Sequence, residues 1–288
     1  MSDRTIKTTL ICASGMLGRA FVEVFERSKI IPTLIDRTEL DLTDPRSVES
    51  YSFTPRSAVV NCAGYTDVDG AEREPELANT INGESVGALA RACQRSDATL
   101  VHFSTDYVFN GEATTPYPVD APLDPINAYG RSKALGEQLI RESGCRHLIV
   151  RTSWLYAPWG KNFVRTMAGL MRERDSIKVV DDQRGRPTSA EHLAATTIAL
   201  LRRGAEGTWH LTDGGECTWY EFALEIARLV GYKGKIEPCT TADFPRPAKR
   251  PTYSVLDLSA TEKLLARPMP DWRANLAREI KGTGPFIS

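Results

Sequence analysis

Apolar residues in the first half of the chain fall into short runs separated by longer amphipathic stretches. The runs cover residues 8–12, 30–35, 58–64, 99–104 and 147–151. Apolar runs of that length read as strands buried in a sheet. The stretches between them carry the helical period instead. Phe21, Val24 and Phe25 mark it within 19–27, and Leu77, Ile81, Val86, Leu89 and Ala90 mark it within 76–93. After Pro125 the composition again favours helix, with Tyr129 near its start. Five strand–helix alternations without hairpin signals predict an α/β fold on a doubly wound parallel sheet.

Beyond Pro158 the texture changes. An amphipathic helix is expected over 162–172, a turn-rich basic loop over 179–188, a core-packing helix over 191–203, a strand over 207–211 and a helix over 220–230. Pro245-Arg246-Pro247-Ala248-Lys249-Arg250-Pro251 is a rigid basic stretch unsuited to regular helix or central strand.

The 288 residues, 41% hydrophobic and 25% charged, suffice for a full globular core. A net charge of -1 argues against a nucleic-acid footprint. Cys12, Cys62, Cys93, Cys145, Cys217 and Cys239 are scattered without a C-x-x-C pair, as expected of reduced thiols in a cytoplasmic protein. The histidines are dispersed too, and no metal site is expected. Residues 1–7 lack the apolar segment of a signal peptide, and no run is long enough for a bilayer span, so no membrane partner is expected.

Chemistry gathers where the strands end. Strand 8–12 runs into Ala13-Ser14-Gly15-Met16-Leu17-Gly18 and then helix. A strand, a glycine-bearing turn and a helix N-terminus make a Rossmann-type cradle for a dinucleotide's pyrophosphate. Cys12 stands where the G-x-x-G-x-x-G form needs its first glycine, and a plain βα turn remains an alternative. At the end of the second strand, Asp36 suits the ribose hydroxyls of NAD and Arg37 the 2′-phosphate of NADP, which leaves the choice open. Asp41-Leu42-Thr43-Asp44 opens the next helix, with Asp44 as N-cap before Pro45. The small residues Ala63 and Gly64 let a flat cofactor lie close, and Asn82 is either a tie near the site or simply exposed. Ser104-Thr105-Asp106-Tyr107 brings hydroxyls to the same edge, for a substrate carbonyl or for backbone capping. Tyr129 and Lys133 lie four apart on one helical face. A phenol titrates near about 10, and a fixed cation beside it is expected to bring it down towards the working range. The plain alternative is a Tyr packed along a Lys stem on a solvated face.

Taken together, Gly15-Met16-Leu17-Gly18, Asn61-Cys62-Ala63-Gly64-Tyr65-Thr66, Ser104-Thr105-Asp106-Tyr107-Val108-Phe109 and Tyr129-Gly130-Arg131-Ser132-Lys133 resemble the extended short-chain dehydrogenase/reductases. Arg151-Thr152-Ser153-Trp154-Leu155-Tyr156, Gly185-Arg186-Pro187-Thr188 and Pro247-Ala248-Lys249-Arg250-Pro251 narrow the resemblance to the dTDP-4-dehydrorhamnose reductase family, over nearly the whole chain.

The resemblance implies reduction of the 4-keto group of dTDP-4-dehydro-L-rhamnose with NADPH or NADH. Tyr129 would be the proton donor, Lys133 would tune it and hold the nicotinamide ribose, and Thr105 would bond the keto oxygen. The dinucleotide is expected on Ser14, Gly15, Met16, Leu17, Asp36, Arg37, Asp41, Leu42, Ala63, Gly64, Tyr65, Tyr129 and Lys133. The sugar is expected on Thr66, Val68, Thr105, Asp106, Tyr107 and Trp154, with Trp154 alternatively a core aromatic. Arg184, Arg186, Lys249 and Arg250 are assigned to the diphosphate on charge alone. The expected division is a dinucleotide-binding domain over 1–155, with 188–213 returning to it, and a smaller C-terminal α/β substrate lobe from 156–187 and 214–288. Expected partners are the nucleotide-sugar substrate and, as an open assembly, a second copy in a homodimer. Two other readings stand beside this one. A sister ketoreductase would act on another nucleotide-linked 4-keto deoxysugar. A non-catalytic dinucleotide-binding subunit would resemble the regulatory β-subunit of methionine adenosyltransferase.

Overall fold

The alternation of strands and helices is realised in a computed structural model that describes residues 7–282. Residues 1–6, which carry most of the segment read against a signal peptide, lie outside the described residues, as do 283–288 of the expected substrate lobe. In chain order the first half comprises β1 (Thr8–Ile11), α1 (Met16–Arg27), β2 (Thr33–Ile35), α2 (Pro45–Ser50), β3 (Ala58–Asn61), α3 (Val68–Arg73), α4 (Pro75–Asn79), α5 (Ser85–Arg95), β4 (Thr99–Thr105), α6 (Ala128–Glu142) and β5 (His147–Thr152). The second half adds β6 (Leu155–Tyr156), α7 (Phe163–Glu173), β7 (Ser176–Val180), β8 (Arg184–Gly185), β9 (Thr188–Ser189), α8 (Ala190–Arg202), β10 (Gly207–His210), β11 (Cys217–Thr218), α9 (Trp219–Val230), β12 (Lys235–Cys239), α10 (Ser259–Leu265) and α11 (Trp272–Gly282).

Six parallel strands form the main sheet in the order β2-β1-β3-β4-β5-β10. Leu10, Val60, Val101 and Leu148 lie in register across it and pack with Phe21, Phe25 and Leu193 from α1 and α8. Ile11, Val59, Leu100 and Ile149 face the other way, against Val86, Leu89 and Ile140 from α5 and α6. Alternate residues thus bury both faces, which explains the continuous apolar runs. The chain reverses its winding between β1 and β3, so a crevice opens at the carboxyl ends of those strands.

Three expectations need correction. The second apolar run supplies only a three-residue edge strand, because Pro32 lacks an N–H and Ile31 faces solvent. The helix expected over 76–93 is broken into α4 and α5 by a π-helical segment, Thr80–Glu84. The 179–188 stretch is not all loop. It begins with the last two residues of β7 and contains β8 and the start of β9, which pair with β11 and β6.

Another apolar cluster, including Tyr156, Val164, Met167, Ile177, Phe222, Ile226, Trp272 and Leu276, is built from β6, α7, β7, α9 and α11. Among the described residues no helix is long and apolar enough to cross a membrane, and no His/Cys/Asp/Glu group is placed to hold a metal ion. All six cysteines are free thiols.

Candidate active site

The turn after β1 has the backbone that the glycine pattern demands, with cysteine in place of the first glycine. Cys12 sits at φ 64°, the left-handed region that glycine favours. A Cβ on Gly18 would lie 2.0 Å from the Cys12 carbonyl oxygen, so helix and strand meet this closely only with glycine there. Gly15 caps α1 without a side-chain hydrogen bond, which leaves the first amides of α1 facing out of the turn. The cradle therefore accommodates a pyrophosphate at a helix N-terminus. Ser14 is exposed beside it. Leu17 is in the core and offers only its backbone, while the Met16 carbonyl accepts a hydrogen bond from Trp159 Nε1 at 3.0 Å.

At the end of β2 the two candidate ribose contacts differ. The Asp36 carboxylate is turned onto its own loop, accepting from the Thr38 amide (2.7 Å) and hydroxyl (2.6 Å), which hold it below its ordinary titration range. Arg37 projects into solvent with only a loose pairing to Asp41 at 3.6 Å. Asp41 also accepts from the Thr43 amide at 2.9 Å, and buried Leu42 offers its carbonyl to Ser85 Oγ at 2.6 Å. Asp44 caps α2 as expected.

Beyond β3, Ala63 and Gly64 lead to Tyr65. The question over Asn82 is resolved by the π-helical segment, which turns its side chain inward. Asn82 Oδ1 accepts from the Tyr65 amide, and its Nδ2 donates to the Tyr65 carbonyl, each at 2.9 Å, and to Ser132 Oγ at 3.0 Å. Asn82 thus ties the loop after β3 to α6. Thr66 is exposed on that loop, Asp67 caps α3, and Val68 is half-buried as the first residue of that helix.

Helix α6 starts at an Asn127 cap, whose Oδ1 accepts from the Gly130 amide at 2.7 Å. A Cβ on Gly130 would sit 2.1 Å from the Tyr107 carbonyl oxygen. Glycine here lets the helix press against the turn at 106–108, and the rings of Tyr107 and Tyr129 meet edge-on at 6.1 Å. Thr105 donates to Asp106 Oδ1 at 3.0 Å and accepts from the Tyr107 amide at 3.1 Å, and its hydroxyl is near enough to the Tyr129 phenol to favour the phenolate. Burial raises Asp106 to about 7, against the hydrogen bonds from Ser254 and Thr105. Burial and the Asp106 charge push the Tyr129 phenol up to about 12, and only the Thr105 hydroxyl acts the other way.

That is a correction. The phenol was expected to be lowered by Lys133. Instead burial brings the Lys133 amine down to about 8, against the Glu137 charge, and its Nζ lies 3.2 Å from His102 Nε2. The amine is also close to the Gly64 backbone, where a Cβ would lie 3.9 Å from it. One turn further along α6, buried Glu137 takes two hydrogen bonds from Arg151, at 2.9 and 2.7 Å.

Over the crevice, Trp154 follows β5 at φ 46°, an uncommon backbone for a bulky residue, and stacks on Trp219 at 3.6 Å. A Cβ on Gly185 would lie 2.7 Å from its indole. Trp154 is therefore a half-buried link to the apolar cluster around Phe222. Two of the four basic residues are already engaged. Arg250 Nη1 donates to Asp69 at 2.7 Å, and Arg184 lies 3.6 and 3.5 Å from Glu216 and Glu221. Lys249 is exposed, and Arg186 Nε is buried without a hydrogen-bond partner among the described residues.

A parallel sheet with a glycine-lined phosphate cradle at one strand end and Tyr129, Thr105 and Lys133 gathered at its neighbours' ends matches one known family. The model of the RmlD substrate binding domain matches residues 6–283. The chain belongs to the dTDP-4-dehydrorhamnose reductase family. A dTDP-4-dehydrorhamnose reductase of Streptomyces griseus is 43% identical, covering 93% of this chain and 91% of its own. A dTDP-4-keto-6-deoxy-D-glucose reductase of Streptomyces niveus is 39% identical, with 96% of each chain covered. The crystal structure of a Bacillus anthracis dTDP-4-dehydrorhamnose reductase in complex with NADP superposes with a TM-score of 0.90 at 35% identity, covering 97% of this chain and 100% of that one.

Sequence reasoning gave no role to His102 or Glu137, named Gly130 and Arg151 only within motifs, and left the inward turn of Asn82 as one of two alternatives. The i, i+4, i+8 spacing of Tyr129, Lys133 and Glu137 was a usable signal for Glu137. His102, in the middle of an apolar run, gave none.

Proposed function

We propose that this chain is an NADPH-dependent reductase of the 4-keto group of dTDP-4-dehydro-L-rhamnose, acting in the cytoplasm and producing dTDP-L-rhamnose. The observation that carries the reading is the meeting of the Tyr129 phenol, the Thr105 hydroxyl and Asp106 at the carboxyl end of β4, with Lys133 one turn along α6. Segment 1–155 with 188–213 would hold the dinucleotide, and 156–187 with 214–282 the nucleotide sugar. The glycine cradle, the uncapped start of α1 and the small residues Ala63 and Gly64 fit the cofactor. Ser14, Gly15, Met16 and Leu17 would receive its pyrophosphate, and Arg37, Asp41 and Leu42 its adenosine end. Exposed Arg37 beside a preoccupied Asp36 favours the 2′-phosphorylated form. Tyr65 and Lys133 would flank the nicotinamide ribose.

A reduced nicotinamide supplies hydride to a carbonyl carbon. The chain's part is to bind and orient the keto group and to deliver a proton from the Tyr129 hydroxyl to its oxygen, leaving a phenolate. Thr105 would hydrogen-bond the same oxygen. Asp106 and Tyr107 would shape its surroundings, and Thr66, Val68 and Trp154 would border the sugar. Lys249 and the unpartnered Arg186 Nε would meet the diphosphate.

The Streptomyces niveus relative supports a second reading, in which the substrate is dTDP-4-keto-6-deoxy-D-glucose. Following NADPH absorbance with each sugar nucleotide in turn separates the two. Tyr129→Phe should still bind NADPH but lose reduction, and unchanged turnover would move the proton donor elsewhere. NADPH binding without turnover of either sugar would favour a regulatory subunit.

A further inference from the structure

The proton positions beneath Lys133 follow from donor and acceptor chemistry. The Ala63 amide can only donate, and it donates to Asn61 Oδ1 at 3.0 Å. This orients the Asn61 side chain, so Nδ2 is the atom 3.3 Å from His102 Nδ1. An amide nitrogen only donates, so His102 Nδ1 must accept, and the neutral imidazole carries its proton on Nε2. The imidazolium is disfavoured, because complete burial holds His102 well below its ordinary range. Nε2–H therefore points at Lys133 Nζ, 3.2 Å away. An ammonium there would set N–H against N–H, whereas a neutral amine would accept the bond, so this contact carries the amine below the value of about 8 that burial and Glu137 leave it.

The other groups around Nζ do not reverse this. From the end of β3, Gly64 presents only backbone. On α6, Glu137 favours the charged amine, but it is answered by Arg151 and by Arg141 at 3.2 Å. Tyr129, one turn the other way, holds a neutral phenol.

We propose that Asn61 and His102 act as a tautomer lock on Lys133. With the proton held on His102 Nε2, Lys133 rests as a neutral amine and takes one proton from solvent when Nζ leaves the imidazole for a ligand. His102 is thus a positioning residue. The cation meant to lower the Tyr129 phenol is then created by cofactor binding, in keeping with the high phenol in this structure. This use of the lock rests on the reductase reading.

The test has two arms. In the protein without ligand, ¹⁵N-histidine NMR, with His102→Gln assigning the signal, should show Nε2 protonated and Nδ1 bare near neutral pH. A protonated Nδ1 overturns the proposal whatever the protein catalyses. Titration calorimetry with NADPH in buffers of different ionisation enthalpy should then show uptake of about one proton at neutral pH. Uptake should fall towards zero in His102→Gln, whose amide oxygen can accept from a resident ammonium. Asn61→Asp should do the same, since a carboxylate accepts Nδ1–H and bares Nε2, and it serves if His102→Gln does not fold. Equal uptake in wild type and a folded variant overturns the lock. Failure to bind NADPH removes the reductase reading and leaves the NMR arm to judge the lock.

Discussion

Replacing Gly130 by alanine isolates the contact that sets the Tyr129 phenol against Thr105. The added methyl would begin 2.1 Å from the Tyr107 carbonyl oxygen and 3.0 Å from Pro125 Cβ. Reaching an ordinary contact of 3.4 Å from 2.1 Å requires the start of α6 to withdraw by 1.3 Å. Overpacking of that kind costs about 1–3 kcal/mol. Alanine is the better helix former by about 1 kcal/mol, so a net loss of stability must come from the clash and not from propensity. A misplacement of about 1 Å near reacting groups lowers rates roughly a hundredfold. Turnover of NADPH at saturating sugar nucleotide should fall by about that factor. Gly169→Ala is the control. It lies in α7 with nothing within 4 Å of its added methyl, and should match wild-type turnover with a small gain in urea stability. Wild-type turnover in a folded Gly130→Ala protein would refute the argument that this contact places Tyr129.

Glu137→Gln leaves buried Arg151 without its counter-charge and should cost about 3–5 kcal/mol in urea unfolding. The same change at half-exposed Glu49, paired with Arg91, should cost under about 1 kcal/mol. Losses of equal size would show that burial of the pair is not what matters. Asp106, raised from 3.8 to about 7 by burial, binds a proton more tightly folded than unfolded. Its contribution to stability is therefore full at low pH and falls as pH rises through that window, by at most about 4 kcal/mol. Asp106→Asn should flatten the decline in urea stability between about pH 4 and 7, and parallel pH curves would contradict it. Arg37→Ala should weaken NADPH about ten- to a hundredfold and leave NADH unchanged, from the worth of a charge-assisted hydrogen bond. Equal losses for both cofactors would remove the 2′-phosphate assignment.

What could be read from the residues in order was whatever is encoded locally. Strands at 8–12, 58–64, 99–104 and 147–151, the helix carrying Tyr129 and Lys133, and the glycine turn all follow from periodicity and cap chemistry within a few residues. Even the odd Cys12 was placed correctly, since the turn after β1 dictates its backbone. Charge states and side-chain availability were not legible, because they depend on solvent exclusion and on partners far apart in the chain. Asn82 is claimed by Tyr65 and Ser132, Arg250 by Asp69, Trp154 by Trp219 and Lys133 by His102. The spacing of Tyr129 and Lys133 suggested a lowered phenol. Burial beside Asp106, which only the folded sheet produces, raises it instead.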